Sequence, residues 1–454
     1  MPTSSARAGV GRRHEPWHWG KERTTSTDLA RDEEDTHGTP ELAEFRRRCR
    51  AFLAANAKPL RRPQPGDDDP DDAADLGGVA DVAAAKRYQG ALYDAGLAGI
   101  TWPVEVGGQG LTAEHQRVFN EEAAGYEVPT GVYTIGLGMV IPTIVEHGTE
   151  PQKERYVRKA LRGEEIWSQL FSEPGAGSDV ASLQMRADRD GEEFVLNGQK
   201  VWTTGAQHSD FGAVIARTNP DMPKHRGITM FIVDFGAPGV DVRPLRQMNG
   251  GSGFNEVYFT DVRVPAANVV GQVDDGWRCA IAMLANERVA IGAGGAGGGA
   301  RRGAGDGIGP LVSLARRRGV IDDPVIRQRL ADVYIRQRIM GFIGLRIRAA
   351  VRSGKAPGPE GSIAKLAGAL LAQRTSNIGA AIAGPAAQAW PADDGTGGRW
   401  ATAVLSAPAS RIAGGTDEVQ RNIIGERVLA LPKEPQVDRD LPFRELKVGT
   451  QRGA

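Results

Sequence analysis

The amino-acid sequence predicts an α+β protein in which a β-domain lies between two helical regions. Apolar residues have helical spacing up to about residue 163, and short β-prone runs with tight turns follow between about residues 167 and 270. Long helical patterns return after Gly276. Because the strand candidates follow one another without intervening helices, we expect an antiparallel barrel or sandwich in the middle of the chain.

The first helix is expected to begin at Thr39. Thr39 suits an N-cap, Pro40 the first helical position and Glu41 the positive end of a helix. The preceding residues 1–38 are polar and charged with little periodicity, which predicts disorder. Helical spacing after Thr39 places four apolar residues on one stripe: Leu42, Phe45, Cys49 and Phe52. Further helical patterns are DVAAAKRYQGALYDAGL, TAEHQRVFNEEAAGY and about residues 131–147.

The middle region contains one strong turn signal. In EEFVLNGQKVWTT, Asn197-Gly198 lies between two β-prone runs, and this dipeptide predicts a hairpin turn there. Further strand candidates are FGAVIART, ITMFIVDF, VDVRPL and NEVYFTDVRV. After Gly276 the helical patterns are GWRCAIAMLANERVAI, DPVIRQRLADVYIRQRIMGFIGLRIRAAVRSG, SIAKLAGALLAQRTSNIGAAIAG and TDEVQRNIIGERVLAL.

The composition indicates neither a nucleic-acid nor a membrane partner. Formal net charge is +0, and no stretch approaches the roughly 20 consecutive apolar residues of a membrane span. The two isolated cysteines, Cys49 and Cys279, signal neither a disulfide framework nor a zinc site, and they fit a reducing cytoplasm. GAGGAG at residues 292–297 has dinucleotide-binding glycine spacing, but a helical pattern precedes it, which favours a packing face or a break.

One carboxylate lies on an apolar helix face. At 100° per residue, the helix GWRCAIAMLANERVAIG places Ala280, Leu284, Glu287 and Ile291 on one narrow stripe. Burial raises the pKa of a carboxylate and makes it a better base near neutral pH, so Glu287 is a candidate general base. The alternative interpretation is a structural ion pair between Glu287 and Arg288 or another arginine.

The segment EPGAGSD suits close approach of a ligand to the backbone. Gly175, Ala176 and Gly177 carry little or no side chain, while Ser172 and Ser178 add hydroxyls. A bound flavin needs hydrogen-bond donors at its ring and neutral donors along its pyrophosphate. The alternative is that this segment is a surface turn and that the downstream Trp202 belongs to the core.

These motifs resemble one family. Residues 169–218, including QLFSEPGAGSDV and NGQKVWTT, are similar to the β-domain of the FAD-dependent acyl-CoA dehydrogenase family, as is FNEVYFTDVRVPAANVVG. IAGGTDEVQRNIIGERVL resembles the closing helix of that family. The resemblance extends from about residue 39 to about residue 431. It implies an N-terminal helical domain, a middle β-domain and a C-terminal four-helix bundle, with these expected boundaries: 1–38 extension, 39–163, 164–275, 276–432 and 433–454 tail.

The resemblance also implies the site residues. FAD would be held by Phe171, Ser172, Gly177, Ser178, Trp202, Thr203, Thr204, Thr416 and Glu418. Substrate contacts would come from Ser178, Arg288 and Gly415. The expected substrate is an acyl-CoA, or an acyl carrier protein thioester, in fatty acid or lipid metabolism. The expected electron acceptor is an electron-transfer flavoprotein or a similar protein.

The family's usual base is missing. Many members carry glutamate in an EGT sequence, whereas this chain has Gly414-Gly415-Thr416. Gly414 retains the N–H that in the family helps to hold the thioester carbonyl. The place of Glu287 before Arg288 resembles the base of the isovaleryl-CoA and long-chain branches. The implied reaction gives a trans-2-enoyl-CoA: Glu287 removes the α-proton, and the β-hydrogen leaves as hydride to flavin N5.

Three functional interpretations follow. The first is an active dehydrogenase that uses Glu287, as a homodimer or homotetramer. The second is a non-catalytic or half-site subunit of a hetero-oligomer with a paralogue, since the family's Arg-x-Thr-Phe-Gly stretch at the intersubunit flavin contact is replaced by ARRRGVIDDPVIRQ. The third is a flavin acyl-CoA oxidase of the same fold.

Overall fold

The structure is a computed structural model that describes residues 39–60, 81–292, 308–353, 358–388, 398–436 and 438–446. Within these ranges, side chains are not described for residues 288–292, 348, 351–352 and 386. The predicted disorder of residues 1–38 and most of the GAGGAG segment lie outside the described residues.

The N-terminal region is helical, as predicted. Its helices are α1 Pro40–Asn56, α2 Val82–Asp94, α3 Ala113–Ala123, α4 Ile141–His147 and α5 Glu150–Leu161. Two short strands, β1 Lys58–Pro59 and β2 Tyr126–Glu127, pair antiparallel beside them. Thr39 is the N-cap of α1, and its side chain accepts from the Leu42 N–H. The predicted apolar stripe faces the core, where Phe45, Cys49 and Phe52 are buried.

The middle region is one sheet with mostly antiparallel pairs. Its strands are β3 Trp167–Leu170, β4 Arg186–Asp190, β5 Glu193–Thr204, β6 Phe211–Arg217, β7 Ile228–Asp234, β8 Val240–Leu245, β9 Phe254–Pro265 and β10 Val269–Val270. The strand order is β10-β7-β6-β4-β5-β9-β8, and β3 pairs with β6. The four strand candidates after NGQKVWTT are confirmed as β6 to β9. The purely antiparallel expectation is wrong in detail, because β3 and β4 each pair parallel with β6.

The predicted hairpin turn at Asn197-Gly198 is wrong. Both residues lie inside β5, and the β4–β5 hairpin turns instead around Gly191. The β5–β9 register shifts between Leu196 and Gly198, so the dipeptide marks a bulge. The Asn197 side chain donates to the Asp261 carboxylate at 3.0 Å and accepts from the Asp261 N–H at 2.9 Å. A Cβ at Gly198 would lie 2.9 Å from the Met185 side chain, so close packing explains the glycine.

The C-terminal region is helical. Its helices are α6 Gly276–Gly292, α7 Gly309–Arg317, α8 Pro324–Arg352, α9 Gly361–Ala383, α10 Arg399–Ile412 and α11 Asp417–Ile423. The helix α6 packs on the sheet and on α4, because Cys279, Ala280 and Met283 share one core with residues of both. The N-terminal half of α6 is therefore held rigidly against the β-domain, while its C-terminal half, with Glu287, extends toward the other C-terminal helices.

No helix among the described residues is long and apolar enough to cross a membrane. Both cysteines are free and buried. The described part of the chain also holds no group of three or more His, Cys, Asp or Glu side chains suited to a metal ion.

Candidate functional site

Two of the predicted cofactor segments are neighbours in space. The Val201 N–H donates to the Ser172 carbonyl at 2.9 Å, which joins the start of EPGAGSD to the end of β5. The next residues on β5 are Trp202, Thr203 and Thr204. This one hydrogen bond therefore brings both motifs together at the C-terminal end of β5. The sequence predicted both motifs, and the sheet brings them together.

Trp202 is presented outward. Its side chain is 60% exposed, and its φ of 61° lies in the left-handed region that non-glycine residues seldom adopt. The β5–β9 register is irregular between Lys200 and Thr203, so a bulge turns this residue out of the sheet. The Phe254 ring supports the indole edge-to-face, with centroids 6.0 Å apart. The alternative that Trp202 belongs to the core is therefore wrong.

Hydrogen bonds hold the backbone around Trp202. The Asn255 side chain donates to the Thr203 carbonyl at 3.0 Å, and the Ser168 hydroxyl donates to the Thr204 carbonyl at 2.9 Å. The Thr203 hydroxyl is buried and has no partner among the described residues. A buried polar atom without a partner is uncommon, which makes this hydroxyl a candidate hydrogen-bond partner for a ligand.

The EPGAGSD segment leaves open space around its glycines. A Cβ at Gly175 or Gly177 would meet nothing within 4 Å, and Gly177 and Ser178 are exposed. Ser172 is half-buried beside them. The end of β5 thus combines an exposed indole, several hydroxyls and an uncrowded glycine backbone. These groups fit the flat ring and polar chain of FAD.

A buried ion pair lies behind these segments. Nζ of Lys200 donates to Oε1 of Glu173 at 2.8 Å and to the Phe171 carbonyl at 3.1 Å. Glu173 also accepts from the N–H groups of Gln184 and Met185. Burial lowers the pKa of Lys200, and the neighbouring Glu173 charge acts in the opposite direction. The pair therefore cross-links three backbone segments under the candidate cofactor surface.

The turn of residues 414–416 connects α10 to α11, and two of its carbonyl groups accept hydrogen bonds from side chains. Nε2 of Gln420 donates to the Gly414 carbonyl at 2.8 Å, and Nζ of Lys365 donates to the Gly415 carbonyl. Thr416 caps α11 by accepting from the Val419 N–H at 3.2 Å. Among the described residues, no acceptor lies opposite the Gly414 N–H. The turn thus presents a free donor, which is what an oxyanion-binding amide requires.

Glu287 lies on the last turns of α6 and is half-buried. Its predicted stripe is observed in part, since Ala280 is buried and Leu284 packs against the same core. Nζ of Lys365 donates to the Gly415 carbonyl. Burial lowers the pKa of Lys365, and the charges of Asp417, Glu287 and Glu418 act in the opposite direction. The side chain of Arg288 lies outside the described residues.

Of the remaining predicted residues, Glu418 is exposed on α11 and lies 3.4 Å from Arg421. Asp417 beside it is buried and paired with Arg411 at 2.6 Å. A hydrogen bond of 3.0 Å from Asn249 to Ser406 joins the β8–β9 loop to α10, about two helical turns before the 414–416 turn. The helix α10 therefore contacts the β-domain at the β8–β9 loop.

Sequence reasoning missed four supporting residues: Glu173, Lys200, Lys365 and Gln420. Lys365 carried a detectable signal, because it shares a helix face with the buried Ser362 and Ala369. A lysine on such a face needs a partner. Glu173 and Lys200 lie inside the recognised motifs, but their contact spans the fold and is invisible in the sequence.

Family models match nearly all of the described chain. They are the N-terminal domain of acyl-CoA dehydrogenase over residues 39–164, its middle domain over residues 168–262 and its C-terminal domain over residues 274–429. This succession of helical, β-sheet and helical domains is the fold of the family.

Curated relatives and solved structures agree. Acyl-CoA dehydrogenase IpdE1 of Mycobacterium tuberculosis is 39% identical over 346 residues, 76% of this chain and 87% of the relative. Acyl-CoA dehydrogenase FadE34 of the same organism is 39% identical over 361 residues, 78% of this chain but only 48% of the longer relative.

Two solved structures extend the comparison. The Tcur3481-Tcur3483 steroid ACAD aligns with a TM-score of 0.71 and 29% identity over 88% of this chain and 99% of the other. The ChsE4-ChsE5 complex from Mycobacterium tuberculosis aligns with a TM-score of 0.67 and 31% identity over 87% of this chain and 99% of the other. The chain belongs to the acyl-CoA dehydrogenase family.

Proposed function

We propose that this chain catalyses FAD-dependent α,β-dehydrogenation of an acyl-CoA thioester, with Glu287 as the base and the Gly414 N–H as a donor to the thioester carbonyl. The observation that carries the proposal is the Gly414 N–H, which has no acceptor among the described residues and is therefore open to a substrate carbonyl. With glycine at position 414, the turn itself supplies no acid, and the half-buried carboxylate of α6 fills that chemical role.

The residues divide the work as follows. The Gly414 N–H donates to the thioester carbonyl, and this polarisation makes the neighbouring α-hydrogen more acidic. Glu287 then removes that hydrogen as a proton. Gln420 and Lys365 hold the carbonyl side of the 414–416 turn, which keeps the N–H directed at the substrate.

FAD fits the surface formed by Ser172, Trp202, Thr203 and Thr204, with Gly177, Ser178, Thr416 and Glu418 as further expected contacts. When bound, it supplies the acceptor for the hydride that leaves the β-carbon. Phe171 supports this surface from the core, where it is buried. Ser178, Gly415 and Arg288 are the expected substrate contacts.

For the acyl group, we propose a bulky ring-bearing thioester. The support is the likeness to the solved steroid ACAD, at 29% identity over 88% of this chain. We propose an electron-transfer flavoprotein or a similar protein as the oxidant of the reduced enzyme.

Anaerobic titration of the purified flavoprotein tests the substrate proposal. The flavin absorbance near 450 nm should bleach with a CoA thioester of a steroid side chain, and less with butyryl-CoA, isovaleryl-CoA and palmitoyl-CoA. Admitting air after the titration separates a dehydrogenase from an oxidase, because a reduced oxidase consumes oxygen and regains its absorbance quickly, whereas a reduced dehydrogenase does not. If a straight-chain thioester bleaches the flavin best, the ring-bearing substrate class is wrong.

The Glu287→Gln variant tests the base. It should retain FAD and thioester binding but lose bleaching, because the amide cannot accept the α-proton. Glu150→Gln is the matched control, since Glu150 is an exposed glutamate at the start of another helix. Wild-type bleaching by the Glu287→Gln variant would remove this residue from the mechanism.

A second candidate function is a subunit that works only with a paralogous chain. Two solved neighbours are two-component proteins by their titles. Between residues 334 and 345 of α8, five large apolar side chains are at least half exposed: Tyr334, Ile335, Ile339, Phe342 and Leu345. An apolar face of this kind is typical of a protein interface. Native mass spectrometry of the chain purified alone, read together with its flavin content, distinguishes a flavin-loaded homo-oligomer from a flavin-free half-site subunit.

A further inference from the structure

Residues 438–446 dock on the β-domain, although they lie beyond the residues that match the C-terminal domain of the family. The Phe443 N–H donates to the Met222 carbonyl at 2.8 Å, and the Arg444 N–H donates to the Pro220 carbonyl at 3.1 Å. Both acceptors lie in the β6–β7 loop. We call residues 438–446 the strap, because these backbone hydrogen bonds fasten them along that loop.

Phe443 anchors the strap. Its side chain is buried, and the buried Leu446 packs against it. The Cζ atom of Arg217 lies 3.8 Å from the centre of the Phe443 ring, which is a close cation–π contact. Arg217 ends β6 and is itself buried. Because a cation–π contact is stronger when the cation is removed from water, this contact anchors the strap more firmly than an exposed contact would.

Arg217 connects the strap to the segment that carries EPGAGSD. One terminal nitrogen of its guanidinium donates to the Lys224 and Arg226 carbonyls at 3.0 and 2.8 Å, and the other donates to the Ala181 carbonyl at 2.7 Å. Ala181 lies two residues after EPGAGSD. Nε of the guanidinium is buried and has no hydrogen-bond partner among the described residues. The Phe443 ring therefore covers a buried charge that is incompletely hydrogen-bonded.

A second contact joins the β6–β7 loop to the same segment. Nζ of Lys224 lies 2.9 Å from Oδ2 of Asp179, the last residue of EPGAGSD. The Asp179 carboxylate also accepts from the Ser182 hydroxyl. At the start of the segment, Glu173 accepts from two backbone N–H groups. The segment is thus closed at its base by Glu173, while its other side depends on Arg217 and Lys224.

We propose that Phe443 is a positioning residue of the cofactor and thioester site: through Arg217 it fixes the backbone that follows Gly177 and Ser178. The inference rests on the proposed function in that Gly177 is taken as a contact to FAD, and Ser178 as a contact to FAD and the thioester. A Cβ at Gly177 would meet nothing within 4 Å, so local packing does not fix this turn. Contacts at its two ends therefore determine where the Ser178 hydroxyl lies.

Four variants test the role of the strap. Phe443→Ala removes the ring, Phe443→Leu keeps an apolar side chain without a π face, and Phe443→Tyr keeps the ring. Arg444→Gln is the matched control on the neighbouring residue. It removes an ion pair of 2.7 Å with Asp221 in which both side chains are exposed, and such surface pairs contribute little.

Hydrogen exchange over residues 179–185, measured on the full-length flavoprotein, reports the order of the segment without any turnover. The N–H groups of Ser182 and Leu183 are hydrogen-bonded at 3.0 and 3.1 Å, so loosening of the segment exposes them to exchange. Exchange should rise about tenfold in Phe443→Ala and about threefold in Phe443→Leu. It should stay near wild type in Phe443→Tyr and Arg444→Gln.

Binding and rapid-reaction kinetics separate positioning from chemistry. In Phe443→Ala, the Kd of FAD from fluorescence titration should rise about tenfold, as should the half-saturating concentration of the CoA thioester of a steroid side chain. The limiting rate of flavin reduction should change less than about threefold, because Glu287 and Gly414, the proposed chemical groups, lie on other elements. Phe443→Tyr should restore both affinities.

Two results would overturn the inference. The first is unchanged hydrogen exchange over residues 179–185 in Phe443→Ala. The second is raised exchange with unchanged affinities for FAD and the thioester, since the ring would then stabilise the segment without positioning the site. If Phe443→Ala does not fold, Phe443→Leu decides both questions. If no thioester reduces the wild-type flavin, the proposed function fails, while exchange and FAD binding still test the inference.

Discussion

Lys200 and Glu173 form an ion pair of 2.8 Å in which both side chains are buried, directly beneath the segments that carry Ser172 and Trp202. The carboxylate also accepts two backbone N–H groups, and the ammonium also donates to the Phe171 carbonyl. Each charge is thus compensated on several sides, which is the condition under which a buried pair persists.

We expect Lys200→Met to destabilise the protein by about 3–5 kcal/mol, because it leaves the Glu173 carboxylate buried without its counter-ion. Flavin content should fall with stability, since the pair holds the candidate cofactor surface from below. Urea unfolding measured by circular dichroism gives the free energy of unfolding. Adding Glu173→Gln to this variant should recover part of the loss, because the two sites are coupled.

Arg263→Ala is the control for that experiment. Arg263 contacts Asp190 and Glu193 at 3.0 and 2.9 Å, but its side chain is exposed. Its removal should leave unfolding and flavin content unchanged within error, as is usual for surface pairs. Equal losses of unfolding free energy in Lys200→Met and Arg263→Ala would contradict the expectation that the buried pair contributes more than the exposed pairs.

Thr203→Val tests whether the unpartnered hydroxyl serves FAD. Valine keeps the shape of threonine, and the lost hydroxyl has no partner among the described residues, so the flavin-free protein should be as stable as wild type. FAD binding, measured by fluorescence titration, should weaken about tenfold, the value of one ordinary hydrogen bond.

Thr229→Val is the control, because it removes a threonine hydroxyl that has hydrogen-bond partners. The Thr229 hydroxyl is buried and bonds the Thr218 hydroxyl at 2.8 Å and the Asp274 N–H at 2.9 Å. This variant should lose about 1–3 kcal/mol of stability and keep FAD affinity. Undiminished FAD affinity in Thr203→Val would exclude that hydroxyl from the cofactor site.

Gly379→Ala should disturb the packing of α9 against α10. A Cβ at Gly379 would lie 1.8 Å from Cε3 of Trp400, whose ring is buried, so the two helices must separate. Overpacking of this kind costs about 1–3 kcal/mol. Gly361→Ala, at the start of the same helix, has nothing within 4 Å of its new methyl group and should not be destabilising. Thermal unfolding of the two variants gives the comparison, and equal midpoints would contradict the packing argument.

Stability should fall at alkaline pH through Cys279. Burial raises the pKa of this thiol from 9.0 to about 11. A raised folded-state pKa means that the unfolded chain releases its proton first, so stability present below pH 9 is lost as the pH rises toward 11. The loss amounts to at most about 3 kcal/mol, since each pKa unit corresponds to about 1.4 kcal/mol. Unfolding of wild type and Cys279→Ala between pH 8 and 11 tests this, since the variant should have a shallower pH slope. Parallel curves would exclude the thiol as the cause.

Much of the fold was predictable because its signals are local. The β-prone runs of β6 to β9 and the helical spacing of α1, α6 and α9 are properties of short segments, and each was observed where the pattern predicted it. The error at Asn197-Gly198 has a physical reason. The dipeptide tolerates a turn but does not require one, and pairing of β5 with β9 over its whole length stabilises the bulge instead.

Only part of the candidate site was predictable from the sequence. Ser172, Trp202, Thr204 and the glycine at position 414 are visible in the sequence, because they lie in motifs whose spacing is contiguous. Their joint presentation depends on contacts between residues far apart in the chain, such as Val201 with Ser172 and Asn255 with Thr203. The role of Glu287 as the base stays a prediction that the Glu287→Gln variant tests.

The sequence by itself determined the order of helical, β-sheet and helical regions, the two flavin-type motifs and the absence of a glutamate at position 414. Only the tertiary structure decided that Trp202 faces outward, that Lys200 meets Glu173, and that Lys365 donates to the Gly415 carbonyl of the 414–416 turn. Local spacing determines which face of a segment is apolar. Which faces meet depends on packing across the whole chain, and buried charges find their partners only there.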